Sequence, residues 1–204
     1  MRTIVVAFAC LCLPFAAQGQ AQSTPILGNA PLLEQPQGAP PVPGDQPTFN
    51  GGVTEYDRGD YVDAYKTFLY LAERDDVAAM RNVALMKRRG LGTPRDPEGA
   101  MEYLKEAADD GLPTAAADLA EMLLYGEGGQ PDPQSALPWL EQAAKAHHAL
   151  AEFRLAEIYE RGLFVTRDVA RAEQLYADAA AAGVPQAATR LNLLKSGVVS
   201  PPRP

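Results

Sequence analysis

The chain has 204 residues, of which 22% are charged and 47% hydrophobic, and its formal net charge is -8. This size fits one ordinary domain with an unstructured end, and the acidic balance argues against nucleic-acid binding, which depends on clustered Lys and Arg. Alanine is in excess at 35 residues while aromatic residues make up 7%, which favours closely packed helices over a β-sheet.

The first 21 residues have the pattern of a secretory signal peptide. Arg2 supplies a positive charge, residues 3–17 are almost wholly apolar, and Gly19 and Ala21 provide the small residues of a cleavage site. The apolar run is shorter than the ~20 residues of a membrane span and contains Pro14. We therefore expect cleavage after Ala21 and a periplasmic or secreted chain with no membrane span.

Both cysteines, Cys10 and Cys12, lie in the segment that this cleavage would remove. The mature chain would then contain no thiol. This excludes disulfides, thiol catalysis and thiolate metal sites from it.

Proline dominates the next segment, residues 22–47, which carries seven prolines and almost no charge. A helix does not survive that spacing, and the segment has too little apolar surface to offset the entropy of ordering. We predict a disordered linker here and a similar disordered tail at residues 198–204. The alternative for both is a proline-motif ligand, which composition alone can only suggest.

Between these ends the sequence repeats every 36 residues. Five series of identical residues share this spacing: Gly90, Gly126 and Gly162; Asp96, Asp132 and Asp168; Ala100, Ala136 and Ala172; Ala107, Ala143 and Ala179; Ala108, Ala144 and Ala180. We predict four helix pairs at residues 48–76, 77–111, 112–147 and 148–183, with a closing helix at 184–197. One pair cannot bury its own apolar face, so the pairs must stack into an all-α superhelical solenoid.

Each repeat carries its own helix boundaries. The first helix, A, ends at a glycine, and an aspartate then caps the second helix, B, often with proline directly after it. Pro138 is the exception, since it falls inside the predicted helix B of the third pair. Either Ser135 is the effective cap there, or that helix is kinked.

Residues 83–96, VALMKRRGLGTPRD, followed by Ala100 and the Ala107–Ala108 pair, resemble the Sel-1-like repeat, a longer-looped relative of the tetratricopeptide repeat. Two further copies, which begin near Leu119 and Leu155, match in the same register. The resemblance as a whole covers residues 48–197. Lys87 stands where the family usually has a core tyrosine, and Phe164 where it usually has a second glycine. The resemblance implies a non-enzymatic interaction scaffold, in bacteria often an exported adaptor in envelope signalling or surface assembly.

Candidate catalytic residues are weak. His147 and His148 are adjacent, point in different directions and occupy a turn, so they cannot readily share a metal ion. The pairs Asp75–Asp76 and Asp109–Asp110 lie at helix ends, where carboxylates usually cap helices. We expect no catalytic, cofactor or metal site.

A partner-binding groove is easier to place by analogy with tetratricopeptide pairs, whose A helices line the inner wall. The A-helix residues not needed for the core then face a partner: Arg81, Leu85, Arg88, Arg89, Glu121, Leu124, Tyr125, Phe153, Glu157, Glu160 and Arg161, with Ala117, Thr189 and Leu193 beside them. Apolar residues interleave with charges there, which suits a peptide or helix. In the alternative, Leu85, Leu124 and Phe153 are core and the charges only solvate the helices.

The first functional hypothesis is a monomeric scaffold that binds another envelope protein or peptide in this groove, with no nucleic-acid partner. The second is a cell-wall or polysaccharide-associated protein with weak, β-lactamase-like hydrolase activity. A third is a self-assembling structural element.

Overall fold

The computed structural model describes residues 46–197, and these form nine α-helices. The predicted signal peptide, nearly all of the proline-rich linker and the tail lie outside the described residues. In chain order the helices are α1 (Phe49–Arg58), α2 (Tyr61–Ala72), α3 (Val77–Arg89), α4 (Pro97–Asp109), α5 (Pro113–Tyr125), α6 (Pro133–Lys145), α7 (Ala149–Arg161), α8 (Val169–Ala181) and α9 (Pro185–Lys195).

The helices pack as consecutive pairs, each mainly against the helices before and after it in the chain. The A helices are α1, α3, α5, α7 and α9, and the B helices are α2, α4, α6 and α8. The predicted all-α solenoid of helix pairs is confirmed, and α1 with α2 forms the first pair.

Alanine lets the helices approach closely. Ala84, Ala120 and Ala156 on successive A helices are completely buried, and so are Ala107 and Ala143 on the B helices. Side chains this small leave the helix backbones near one another, and larger residues fill the remaining space. The largest fully buried side chains are Tyr176, Phe68, Met80, Met86, Leu104, Met122, Leu155, Val83 and Asn82.

In the structure, the A helices of the repeats end at the glycines that the sequence predicts, and the B helices begin at the predicted aspartate caps. Gly90, Gly126 and Gly162 follow the A helices with φ of 73°, 70° and 67°, a left-handed conformation that glycine adopts without steric cost. The carboxylates of Asp96 and Asp168 accept hydrogen bonds from backbone N–H groups of α4 and α8, three residues onward. These caps satisfy N–H groups that the helix itself leaves unpaired.

Pro138 lies inside α6, whose cap is Asp132 and not Ser135. The N–H of Ser135 donates to Asp132 Oδ1 at 3.0 Å, and its hydroxyl donates to Oδ2 at 2.6 Å. Ser135 therefore supports the cap without replacing it. Because proline has no N–H, the carbonyl of Gln134 lacks its helical donor.

Lys87, which stands in the place of a core tyrosine, forms an ion pair within its repeat. Its Nζ lies 2.7 Å from Asp96 Oδ2, so the end of α3 is tied to the residue that caps α4. The ammonium also lies 5.9 Å from the centre of the Tyr103 ring. The hydrogen bond to Asp96 raises the pKa of Lys87, and the same bond lowers the pKa of Asp96.

Candidate functional site

The A-helix wall, meaning the surface formed by neighbouring A helices α3, α5, α7 and α9, carries all of the predicted partner-binding residues. Its first feature is a buried ion pair between α3 and α5. Arg81 Nε donates to Asp118 Oδ2 at 2.7 Å, and the two side chains are 5% and 11% exposed. These charges hold neighbouring repeats together across 37 residues of sequence.

Arg88 makes a second connection between the same repeats. Its Nε donates to Glu127 Oε2 at 2.7 Å, its Nη2 donates to Glu127 Oε1, and its Nη1 lies 3.7 Å from Glu121 Oε2. The Arg88 hydrogen bond lowers the pKa of Glu127, whereas burial raises the pKa of Glu121 despite the same arginine. Arg88 therefore interacts with two glutamates whose pKa values are shifted in opposite directions.

A third connection joins α7 to α9. Arg190 Nη2 lies 2.7 and 2.8 Å from the two carboxylate oxygens of Glu160, and the hydroxyl of buried Tyr176 donates to Glu160 Oε2 at 2.7 Å. Burial, followed by the Glu160 hydrogen bond, raises the pKa of Tyr176 strongly. The phenol therefore stays protonated and acts as a fixed donor inside the last repeats.

These contacts correct the predicted groove. Five of its residues are buried and not available to a partner in this structure: Arg81 at 4% exposure, Leu85 at 4%, Ala117 at 4%, Phe153 at 8% and Glu160 at 5%. Leu85 and Phe153 lie in the core, as the alternative interpretation proposed. The remaining predicted residues are at least partly exposed, namely Arg88, Arg89, Glu121, Leu124, Tyr125, Glu157, Arg161, Thr189 and Leu193.

Sequence reasoning missed the partners of these charges. Asn82, Asp118, Arg154 and Arg190 are spaced by 36 residues, so each of four A helices carries a polar residue at the same repeat position. All four are buried or half-buried in the structure. A polar residue recurring in phase with the alanine core was the signal that could have identified them.

An opening on the A-helix wall lies where α5 faces α7. This α5–α7 cleft has a volume of about 430 Å³. Its apolar lining is Leu124, Tyr125, Pro131, Pro133, Ile158, Leu163 and Phe164, and its charged lining is Arg154, Glu157 and Arg161. Four predicted groove residues, Leu124, Tyr125, Glu157 and Arg161, therefore lie beside side chains from the following loops that the prediction did not include.

The loop after α7 departs from the other loops at Phe164, which has φ of +49°. The equivalent residues Gly92 and Gly128 lie so close to the preceding B helix that a Cβ at Gly92 would be 2.0 Å from the Tyr61 carbonyl oxygen. Phe164 places a large side chain at this position and is 43% exposed. The cleft is open at the one described repeat where this glycine is replaced.

The histidines and acidic pairs have local structural roles. His147 has φ of +57°, like the turn glycines at equivalent positions, and its Nδ1 lies 3.2 Å from Glu152 Oε1. His148 caps α7 by accepting a hydrogen bond from the Ala151 N–H. Asp76 caps α3 in the same way, accepting from two backbone N–H groups. His147 and Asp76 thus have the turn and capping roles expected from the sequence, whereas Asp109, at the end of α4, accepts a hydrogen bond from Lys105 instead of capping a helix.

Within residues 46–197, the His, Cys, Asp and Glu side chains form no group of three or more that could hold a metal ion. The helices of this described part are also all too short or too polar to cross a membrane.

The opposed shifts of Glu127 and Glu121 predict how one variant responds to pH. Because its folded-state pKa is lowered, Glu127 adds stability above its ordinary pKa of 4.5, and this contribution is lost as the pH falls through the lowered value. Glu121 has the opposite effect on stability, since its protonation removes the cost of burying a charged carboxylate. We expect Glu127→Gln to reduce the free energy of unfolding at neutral pH, with the deficit shrinking in acid. Urea titrations at several pH values test this, and a deficit that is constant with pH would contradict it.

Three consecutive stretches, residues 77–112, 113–148 and 149–184, match the model of the Sel1 repeat. Each begins within one residue of a predicted repeat and contains one of the pairs α3–α4, α5–α6 and α7–α8.

Similar proteins include mouse DAP3-binding cell death enhancer 1, which is 31% identical over 186 residues, covering 72% of this chain and 36% of that protein. The crystal structure of a Sel1 repeat protein from Oxalobacter formigenes has a TM-score of 0.68 and 29% identity, covering 72% of this chain and 60% of that one. The chain therefore spans only part of the relatives it matches.

A second solved structure is c5321, a protective antigen of uropathogenic Escherichia coli strains displaying an SLR fold. It has a TM-score of 0.68 and 25% identity over 76% of this chain and 34% of its own. The family match covers more than half of the chain, and these structures share its helix-pair stacking. The chain belongs to the Sel1 repeat family.

Proposed function

We propose that this Sel1 repeat protein is an exported, non-enzymatic scaffold that binds another envelope protein through its A-helix wall, with the α5–α7 cleft as the main contact. The single observation that carries the proposal is the exposed apolar surface at this cleft. Tyr125 is 54% exposed, Phe164 43% and Leu163 38%, beside arginine side chains. Aromatic and arginine residues in a recess are the usual anchors of protein interfaces.

The rest of the wall is a weaker candidate for the main contact. Arg81, Arg88 and Glu160 are already occupied by partners within the chain. A ligand that used them would have to break these ion pairs, which costs most where the charges are buried. The cleft offers contact area without that cost.

The signal-peptide pattern of residues 1–21 supports export in this proposal, and a monomer is the simplest form that leaves the wall accessible. The proline-rich segment at residues 22–47 would then space the solenoid from other envelope components. No arrangement of side chains within residues 46–197 favours the hydrolase alternative.

The test places a photo-cross-linking amino acid, p-benzoylphenylalanine, at Tyr125 in cells of the native organism. Irradiation followed by mass spectrometry is expected to trap a specific envelope protein in the periplasmic or secreted fraction. The matched control carries the same amino acid at Gln174, an exposed residue of helix α8 on the B side. A protein trapped equally from both positions, or none trapped from Tyr125, would contradict the proposed contact.

A further inference from the structure

The three junctions between α3, α5, α7 and α9 differ in how they are connected. Ion pairs join α3 to α5 through Arg81 and Asp118, and α7 to α9 through Glu160 and Arg190. Among the ion pairs of residues 46–197, none joins α5 to α7, and the cleft opens at that junction. Across that junction Glu121 and Arg154 attract each other electrostatically but form no ion pair.

Arg154 is the residue that this junction leaves incompletely bonded. It occupies the repeat position of Asp118 and Arg190, which do pair with a neighbouring A helix. Its Nη1 donates to Glu157 Oε2 at 2.9 Å within α7, but its Nη2 is buried with no hydrogen-bond partner among the described residues. A guanidinium carries five N–H donors suited to carboxylates, and here the Nη2 of Arg154 has no acceptor.

The local charge favours an acidic ligand. Two arginines, Arg154 and Arg161, line the cleft against one carboxylate, Glu157, which already pairs with Arg154. Arg161 is half-exposed and lies 3.9 Å from the same glutamate. Glu121 on α5 attracts Arg154 electrostatically but also lies 3.7 Å from Arg88 on its other side, so this carboxylate is shared between two arginines. Among the side chains that line the cleft itself, arginines therefore outnumber carboxylates by two to one.

The same cleft is apolar at its rim. Tyr125 extends from the end of α5, and Leu163 and Phe164 extend from the loop after α7, all three of them exposed. A volume of about 430 Å³ is within the range of ligand sites and holds a large side chain together with a neighbouring acidic group. An apolar side chain would lie against these residues while its neighbour reached the guanidinium.

We propose that the α5–α7 cleft binds a peptide segment of the partner protein in which a large apolar side chain stands next to an aspartate or glutamate side chain. This rests on the proposed function and names the kind of segment that is recognised. The carboxylate hydrogen-bonds Arg154 with support from Arg161, and the apolar side chain packs on Tyr125 and Phe164.

The probe is a matched set of short peptides, acetylated and amidated at their ends, with Leu-Asp, Leu-Asn or Leu-Lys at the centre. Each is titrated into the isotope-labelled chain, as purified from cells, and followed by NMR chemical shifts. We expect Leu-Asp to bind at least about tenfold more tightly than Leu-Lys, with shifts centred on Tyr125, Phe164 and the side chain of Arg154.

Two variants separate the parts of the site. Arg154→Gln is expected to remove the preference for Asp over Asn while leaving apolar binding, whereas Phe164→Gly weakens all three peptides alike. Arg171→Gln, an exposed arginine at the start of α8, is the matched control and should change nothing. If Arg154→Gln fails to fold, the ranking of the three peptides by the unmodified chain decides.

Equal binding of Leu-Asp and Leu-Lys, or shifts outside the cleft, would overturn the inference. Tighter binding of a peptide ending in a free carboxylate, or of peptides copied from residues 36–47 or 198–204, would overturn it too, since the occupant would then be a chain terminus or the protein's own proline-rich segments. Loss of the acidic preference while Tyr125 still traps a protein leaves the scaffold function standing. Peptide binding without a trapped protein refutes the function and keeps the ligand class.

Discussion

Asp118→Ala is expected to lower the free energy of unfolding by about 3–5 kcal/mol, because it leaves a buried arginine without its counter-charge. Arg81 is 4% exposed, and the described contacts give its Nε this one carboxylate at 2.7 Å. Removing the carboxylate keeps the cost of burying the guanidinium while its compensation is gone. Urea unfolding followed by circular dichroism measures the loss.

The matched control replaces both charges at once, as Arg81→Met with Asp118→Leu. Two apolar side chains of similar size need no compensation, so this double variant should recover most of the stability that Asp118→Ala loses. If the double variant were as unstable as the single one, the ion pair would contribute more to the packing of α3 against α5 than the mutual compensation of two buried charges. A single variant as stable as the unmodified chain would refute the buried pair itself.

Gly92→Ala is expected to cost about 2–5 kcal/mol, the sum of a left-handed backbone and a collision. Gly92 has φ of +69°, and an added Cβ would lie 2.0 Å from the carbonyl oxygen and 2.4 Å from the carbonyl carbon of Tyr61. Because Tyr61 is the first residue of α2, the backbone of one repeat would have to move away from another. Thermal and urea unfolding report the change.

Gly111→Ala is the control that isolates the collision. Gly111 has φ of +90°, and a Cβ there meets nothing within 4 Å, so only the backbone cost of about 1–2 kcal/mol remains. The difference between the two variants measures the close approach of the loop to α2. Equal losses of unfolding free energy in both variants would show that the loop after α3 can move away from α2 at no energetic cost.

The same reasoning explains why the cleft lies where it does. At Gly92 and Gly128 the loop after helix A lies against the start of the preceding helix B. Phe164 takes this position in the next repeat, in a left-handed conformation that costs a non-glycine residue about 1–2 kcal/mol. Strain of this kind is usually kept where it serves a site. The exception to the repeat pattern thus coincides with the exposed apolar surface.

The sequence by itself determined the helix pairs and their boundaries. A 36-residue period in alanine, glycine and aspartate was sufficient, because helix ends depend on local φ preferences and on caps within three residues of the chain. His147 could be placed in a left-handed turn because Gly111 and Gly183 occupy the same repeat position. Local sequence signals did not decide how the helix that contains Pro138 begins. Only the hydrogen bonds of Asp132 show that Asp132, and not Ser135, caps α6.

Only the tertiary structure decided which wall residues are available to a partner. Arg81 and Glu160 read as ligand-facing charges in the sequence, but their partners lie 37 and 30 residues away on the next A helix. Periodicity gives the face of a helix, whereas the burial of a charge depends on the side chain opposite it in the neighbouring repeat. The α5–α7 junction differs for the same reason, because Arg154 forms no ion pair with α5 whereas Arg81 pairs with Asp118.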